Sequence, residues 1–147
     1  MPHFTRQLTN GSPIILAVLS VIQARADALT AANLPVPPVQ RMNALIDTGA
    51  SCTCVDPAII TALGLSPTGT TQMFTPSTGA QGHTTDQYDA NLKIYCTMQQ
   101  APLEIPVIAV VAAELRVQGI DALIGRDVLA YCLLSYNGTS GFFTLAF

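Results

Sequence analysis

Residues 44–51, Ala-Leu-Ile-Asp-Thr-Gly-Ala-Ser, decide the fold, because an apolar run delivers one carboxylate into a Thr-Gly turn. A carboxylate that follows a buried strand is costly to leave unpaired. Gly49 lets the backbone come close to whatever the Asp47 carboxylate touches. One chemistry that uses this arrangement is a pair of aspartates that share a proton and activate a water between them. Because the sequence holds a single copy of this stretch, the second aspartate of such a pair must come from another chain.

The composition favours one domain with much of its surface hidden. A chain of 147 residues is most simply a single domain over residues 1–147, in which we expect residues 1–11 to form a flexible N-terminal arm. Only 10% of the residues are charged, against roughly a quarter in ordinary soluble domains. This shortage of charge favours a subunit interface. The net charge of −3 and the scattered basic residues argue against a nucleic-acid partner.

The cysteines predict free thiols. Cys52 and Cys54 are separated by one residue, so in a strand they lie on the same face and do not bridge comfortably. One C-x-C pair with isolated Cys96 and Cys132 lacks the spacing of a zinc site. We therefore expect mostly buried thiols, no metal, no cofactor and a reducing, cytoplasmic location.

An apolar run near the N-terminus is also compatible with secretion. Residues 13–22 are apolar, and Ala-Arg-Ala at 24–26 resembles a signal-peptidase site. The alternative is therefore a secreted domain stabilised by zinc or disulfides. The run is too short to span a membrane, and it is rich in β-branched residues between turn residues. We predict a buried strand there and no membrane partner.

The remaining pattern predicts an all-β fold with two or three short helices. Helices are expected over 23–33, 57–63 and 126–132, the second with Asp56 as N-cap and Pro57 at its first position. A polar, glycine-bearing tip at 76–83 predicts a hairpin. Strands are expected over residues 39–46, 52–55, 68–74, 87–95, 106–111, 119–125, 133–136 and 141–147.

Two motifs in this order resemble the signatures of the retropepsin-like aspartic proteases. They are residues 45–51 (Leu-Ile-Asp-Thr-Gly-Ala-Ser) and residues 123–127 (Leu-Ile-Gly-Arg-Asp). A lone Asp-Thr-Gly is weak evidence, but the ordered set with a flap-like hairpin between the motifs is far more specific. The resemblance covers residues 12–147. The long segment at 23–38 makes the chain look more like a bacterial or cellular member than a viral one.

The resemblance implies a single-lobe acid-protease barrel that homodimerisation completes. It implies an endopeptidase for peptide or protein substrates, with Asp47 as the catalytic aspartate, Thr48 bonded across the two-fold axis and Gly49 open to the substrate. The substrate-binding residues that it implies are Gly49, Ala50, Ser51, Thr78, Gly79, Ala80, Gln81 and Ile124.

One departure from the family pattern leaves an arginine without its usual partner. Many members carry an acidic residue where this chain has Ser51, and that acid meets the arginine of the second signature. Arg126 therefore needs another partner, and Asp127, Asp121 and the opposite subunit all remain open. A second hypothesis keeps the fold without proteolysis, as a catalytically silent dimerisation or peptide-binding module.

The C-terminal residues predict where the two subunits of the dimer meet. Residues 142–147 include three phenylalanines, which would be a hazard on an exposed edge of a monomer. We therefore expect this terminus to pair with its symmetry mate in an interface sheet.

Overall fold

A computed structural model describes residues 1–74, 79–97 and 100–147. The helices of this part of the chain are α1 (Gln23–Ala31), α2 (Pro57–Ala62) and α3 (Arg126–Leu129). The strands are β1 (His3–Gln7), β2 (Ile14–Ser20), β3 (Gln40–Ile46), β4 (Cys54–Val55), β5 (Gly69–Met73), β6 (His83–Ile94), β7 (Leu103–Ala112), β8 (Ala122–Ile124), β9 (Leu133–Asn137) and β10 (Phe142–Ala146).

Six strands close into a barrel. Their order is β2-β3-β8-β4-β7-β6, β2 returns to pair with β6, and β5 continues the sheet beyond β6. The β3–β8 and β4–β7 pairs are parallel, and the other neighbours are antiparallel. The largest fully buried side chains in the barrel include Leu19, Met42, Leu92, Ile94, Val110 and Ile124. The predicted all-β, single-lobe fold with short helices is confirmed.

Strand β2 confirms the strand predicted within residues 13–22. Ile15, Ala17 and Leu19 are buried in alternation along it, as a wall strand with one face on a core requires. Strand β7 differs from the prediction of a continuously buried run. Its Val107 is 58% exposed while Ile108 is buried, because the barrel wall is a single layer whose outer face meets solvent.

The two chain ends pair with each other in a second, three-stranded sheet. Its order is β1-β10-β9, so residues 3–7 form a strand rather than part of a flexible arm. The predicted pairing of the C-terminal strand with a symmetry mate is wrong, because β1 and β9 occupy both edges of β10. Phe143 packs into the protein's own core, where Phe4 meets it edge-on with ring centroids 6.2 Å apart.

Asp56 ties α2 to the segment after β7. One carboxylate oxygen accepts the Ala58 N–H at 3.0 Å, which confirms the predicted N-cap. The other oxygen accepts the N–H groups of Leu115 (3.0 Å) and Arg116 (2.9 Å). Burial alone raises the pKa of Asp56, but these three backbone donors and the Arg116 guanidinium outweigh it and lower the pKa.

Replacing this carboxylate should therefore weaken the fold in a pH-dependent way. We expect Asp56→Asn to reduce the free energy of unfolding by about 2–4 kcal/mol at pH 7, because an amide NH₂ would face backbone donors. A pKa lowered by folding stabilises the protein above the unfolded value of 3.8, and this contribution is lost as the pH falls. The difference from wild type in urea unfolding should shrink between about pH 5 and pH 3.

The matched control is Asp27→Asn, because Asp27 lies exposed on α1. An equal loss of stability in this control, or a difference that stays constant with pH, would contradict the assignment.

Candidate active site

The backbone of residues 47–51, here called the Asp47 turn, holds the carboxylate at the end of β3. The Asp47 N–H donates to the Ile124 carbonyl of β8 at 3.0 Å, which continues the parallel β3–β8 pairing. The Gly49 N–H donates to Asp47 Oδ1 at 2.8 Å. A Cβ on Gly49 would lie 3.1 Å from that oxygen, so the glycine permits this close approach.

Three residues behind the turn form what we call the brace: Thr53, Gly125 and Asp127. Thr53 is fully buried, and its N–H and hydroxyl each donate to one Asp127 carboxylate oxygen at 2.8 Å. The same hydroxyl accepts the Gly125 N–H at 3.2 Å. A Cβ on Gly125 would lie 2.5 Å from the carbonyl atoms of Cys52, so only glycine fits between β8 and α3. The brace therefore fixes the second signature directly against the Asp47 turn.

Arg126 binds the Asp47 turn through backbone carbonyl groups. Its Nη1 donates to the Thr48 carbonyl at 3.2 Å, and its own N–H donates to the Ala50 carbonyl at 2.9 Å. Neither acid that the sequence offered as a partner, Asp127 or Asp121, pairs with it in the described chain, because both are bonded elsewhere. The guanidinium thus supports the turn itself.

A cavity of ≈ 520 Å³ opens over the Asp47 carboxylate. The β5–β6 hairpin covers one side of it, through Met73 and the adjoining Phe74. Among the described residues that line the cavity, Asp47 carries the only formal charge. The lining residues are Asp47, Gly49, Ala50, Ser51, Cys52, Cys54, Thr71, Gln72, Met73, Phe74 and Leu123.

The residues assigned to catalysis from the sequence lie together. Asp47 is half-buried, whereas Thr48 and Gly49 are exposed at the surface of the turn. The Thr48 hydroxyl has no hydrogen-bond partner among the described residues. Ala50 and Ser51 line the cavity, so both are within reach of a bound molecule.

The other residues assigned to substrate binding lie elsewhere. Gly79, Ala80 and Gln81 form an exposed 3₁₀ turn and do not line the cavity, and Thr78 lies outside the described residues. Ile124 is fully buried in the core, so the structure corrects its assignment, and its neighbour Leu123 faces the cavity instead. Adjacent residues of a strand point to opposite faces, so an error of one position in the sequence assigned a core residue to the cavity.

Several residues that line the cavity were not predicted from the sequence. Cys52 and Cys54 flank the buried Thr53, and the same-face alternation of a C-x-C segment was the available signal. Met73 and Phe74 gave no such signal, because their position depends on how the hairpin folds over a turn distant in sequence.

The Cys54 thiol at the cavity does not supply a nucleophile. All four cysteines are free. Burial, the neighbouring Cys52 thiol and the nearby carboxylates raise the pKa of Cys54 to about 12, so it stays protonated at neutral pH. The described residues contain no cluster of three or more metal-binding side chains. In the same part of the chain, no helix has the length and apolar character to cross a membrane.

Comparison with known proteins identifies the family. A family model described as aspartyl protease matches residues 38–128, a segment that contains the Asp47 turn and the whole brace. The chain belongs to the aspartyl protease family. The family is of the retropepsin-like type, which confirms the resemblance seen in the two signatures, and it supports a protease function. A search of curated proteins found no match to the chain.

Proposed function

We propose that this aspartyl protease is an endopeptidase that hydrolyses extended peptides at a site shared by two copies of the chain. The observation that supports this most is the Asp47 carboxylate, which is held by the Gly49 N–H and carries the only formal charge among the described residues lining the ≈ 520 Å³ cavity. One carboxylate can act as a base but does not also supply a proton. A second copy of the chain, facing the exposed Thr48 and Gly49, supplies the missing acid.

Two carboxylates held close together do not both ionise, so the pair keeps one proton. The ionised Asp47 takes a proton from a water whose oxygen attacks the peptide carbonyl carbon. The partner subunit's Asp47, which is protonated, donates its proton to the carbonyl oxygen. The tetrahedral intermediate then collapses: the partner subunit's Asp47 takes a proton back from one hydroxyl, the C–N bond breaks, and the amine leaves with the proton that Asp47 took from the water.

The β5–β6 hairpin serves as the flap in this proposal. Strand β5 is the free edge of the large sheet, and residues Thr71 to Met73 of this strand line the cavity. An extended peptide that lies between this edge and the Asp47 turn bonds to backbone groups as an added strand. In this arrangement the peptide carbonyl would lie above Asp47.

The edge of β9 is the best candidate for the contact between copies. With β10 flanked on both sides, β1 and β9 are the free edges of the small sheet. Strand β9 carries no charge and no proline, the features that normally protect an edge, and its Leu133 and Tyr136 are 63% and 53% exposed. It also begins shortly after α3, whose Arg126 is bonded to the Asp47 turn. Antiparallel pairing of two β9 strands would form one continuous sheet across a two-fold axis.

The first test removes the carboxylate charge at constant size. Asp47→Asn should lower the cleavage of a peptide library by at least about a thousandfold, because the variant has no general base, while the unfolding midpoint stays near that of wild type. Peptides should still bind to the variant. The control is Asp27→Asn, which should cleave like wild type. A wild-type protein that binds library peptides but cleaves none across pH 3–8 would favour the silent binding module instead.

The second test places a charge on the β9 edge. Leu133→Lys should weaken self-association by tenfold or more in sedimentation, because each copy would bring a lysine into an edge that otherwise carries no charge, and activity should fall in parallel. Val117→Lys is the matched control, because Val117 is 85% exposed and lies outside the small sheet. A monomeric wild type at micromolar concentration, or equal effects of both variants, would contradict this interface.

A further inference from the structure

We propose that Arg126 is a positioning residue that fixes and strengthens, through a single peptide group, the hydrogen bond from Gly49 to the Asp47 carboxylate. The inference rests on the proposed function, since it concerns the carboxylate of the same site. It concerns a contact that the two signatures do not predict, because Arg126 lacks the acidic partner that Ser51 replaces.

The geometry of one peptide unit supports this role. The Thr48 carbonyl and the Gly49 N–H belong to the same planar trans peptide, so they point in opposite directions. Arg126 Nη1 donates to the carbonyl oxygen at 3.2 Å, and the N–H at the other end donates to Asp47 Oδ1 at 2.8 Å. The guanidinium therefore fixes the plane whose N–H binds the carboxylate.

The charge of Arg126 adds an electronic effect to the positioning. A charged donor on a carbonyl draws electron density through the amide, which makes the N–H of the same peptide a stronger donor. No carboxylate of the described chain lies within 4.0 Å of the guanidinium. Because no acid of the described chain pairs with this cation, only solvent screens the effect of its charge on the Asp47 turn.

The other ionisable groups around Asp47 limit what a titration will report. Strands β5 and β8 carry no ionisable side chain. Cys54 stays protonated because its pKa is about 12. The remaining groups on the adjacent elements are Cys52 beside β4, Asp127 on α3, Arg41 at the far end of β3 and, in the proposed dimer, the partner subunit's Asp47. Strand β6 adds His83, which lies opposite Met73, and Asp86, Tyr88, Asp89 and Lys93.

The test follows the Gly49 amide by NMR while the pH is changed. Its N–H is bonded to the carboxylate, so its chemical shift follows the ionisation of that group. In Arg126→Met, which removes both the donor and the charge, the titration midpoint should rise by about half a pH unit or more, because the ionised form loses support. Arg126→Lys retains a cation that is able to donate to the same carbonyl, so its midpoint should move by less than half as much. Arg41→Met removes one exposed cation from β3 and should leave the midpoint in place.

The direction in which the titration midpoint moves distinguishes the positioning role of Arg126 from loss of the dimer. Loss of the dimer would lower the midpoint, because the like charge of the partner's carboxylate would be removed. A midpoint that is unchanged or lower in Arg126→Met, or that moves equally in Arg41→Met or Arg126→Lys, overturns the proposal.

The amide titration needs no substrate, so it is independent of cleavage. If wild type cleaves no peptide but the midpoint still rises, the proposed function fails and the positioning role stands; active wild type with an unmoved midpoint rejects the positioning role alone.

Discussion

The structure of the site depends on the hydrogen bonds between Thr53, Asp127 and Gly125. The Thr53 hydroxyl donates to the Asp127 carboxylate and accepts the Gly125 N–H, so both of its functions are used inside a buried site. Without that hydroxyl, the Gly125 N–H would be buried without a partner. The same contacts bring β8 against the Asp47 turn, where a Cβ on Gly125 would strike the Cys52 backbone. Ile124 and Arg126, which bond to the Asp47 turn, lie on either side of Gly125 in the chain and so flank this close passage.

Four aspartates of the described chain accept backbone N–H groups. Asp56 accepts three, Asp121 accepts that of Asn43, and Asp127 accepts those of Thr53 and Val128. Asp47 accepts that of Gly49 in the same way. It differs in opening onto a cavity whose described lining residues include no cation. The candidate catalytic carboxylate is therefore distinguished by its surroundings rather than by its local hydrogen bonding.

Features that depend on local chemistry could be predicted from the sequence. Asp56 and Pro57 mark the start of α2 because capping involves residues that are neighbours in the chain. Strand β3 and the Asp47 turn follow from an apolar run that ends in a Thr-Gly pair. The two signatures, in order, were enough to identify the family that the comparison then confirmed.

Features that depend on distant residues could not be predicted. The pairing of β1 with β10 joins the two ends of the chain, and no local pattern in either strand indicates that it pairs with the other. The contact of Arg126 with the Thr48 carbonyl could not be predicted either, because a backbone carbonyl leaves no complementary charge in the sequence that would identify it. The choice between Leu123 and Ile124 at the cavity depended on register, which a short strand such as β8 does not reveal.

The central claim, that two Asp47 carboxylates from separate chains act as one unit, is tested most directly with mixed dimers. Wild type and Asp47→Asn would carry different affinity tags, be refolded together, and be purified on both tags in succession. The account predicts that the mixed dimer is as inactive as the doubly substituted one, so an unseparated equal mixture retains about a quarter of the wild-type activity. A purified mixed dimer with about half the wild-type activity would contradict it, because each chain would then carry a complete site.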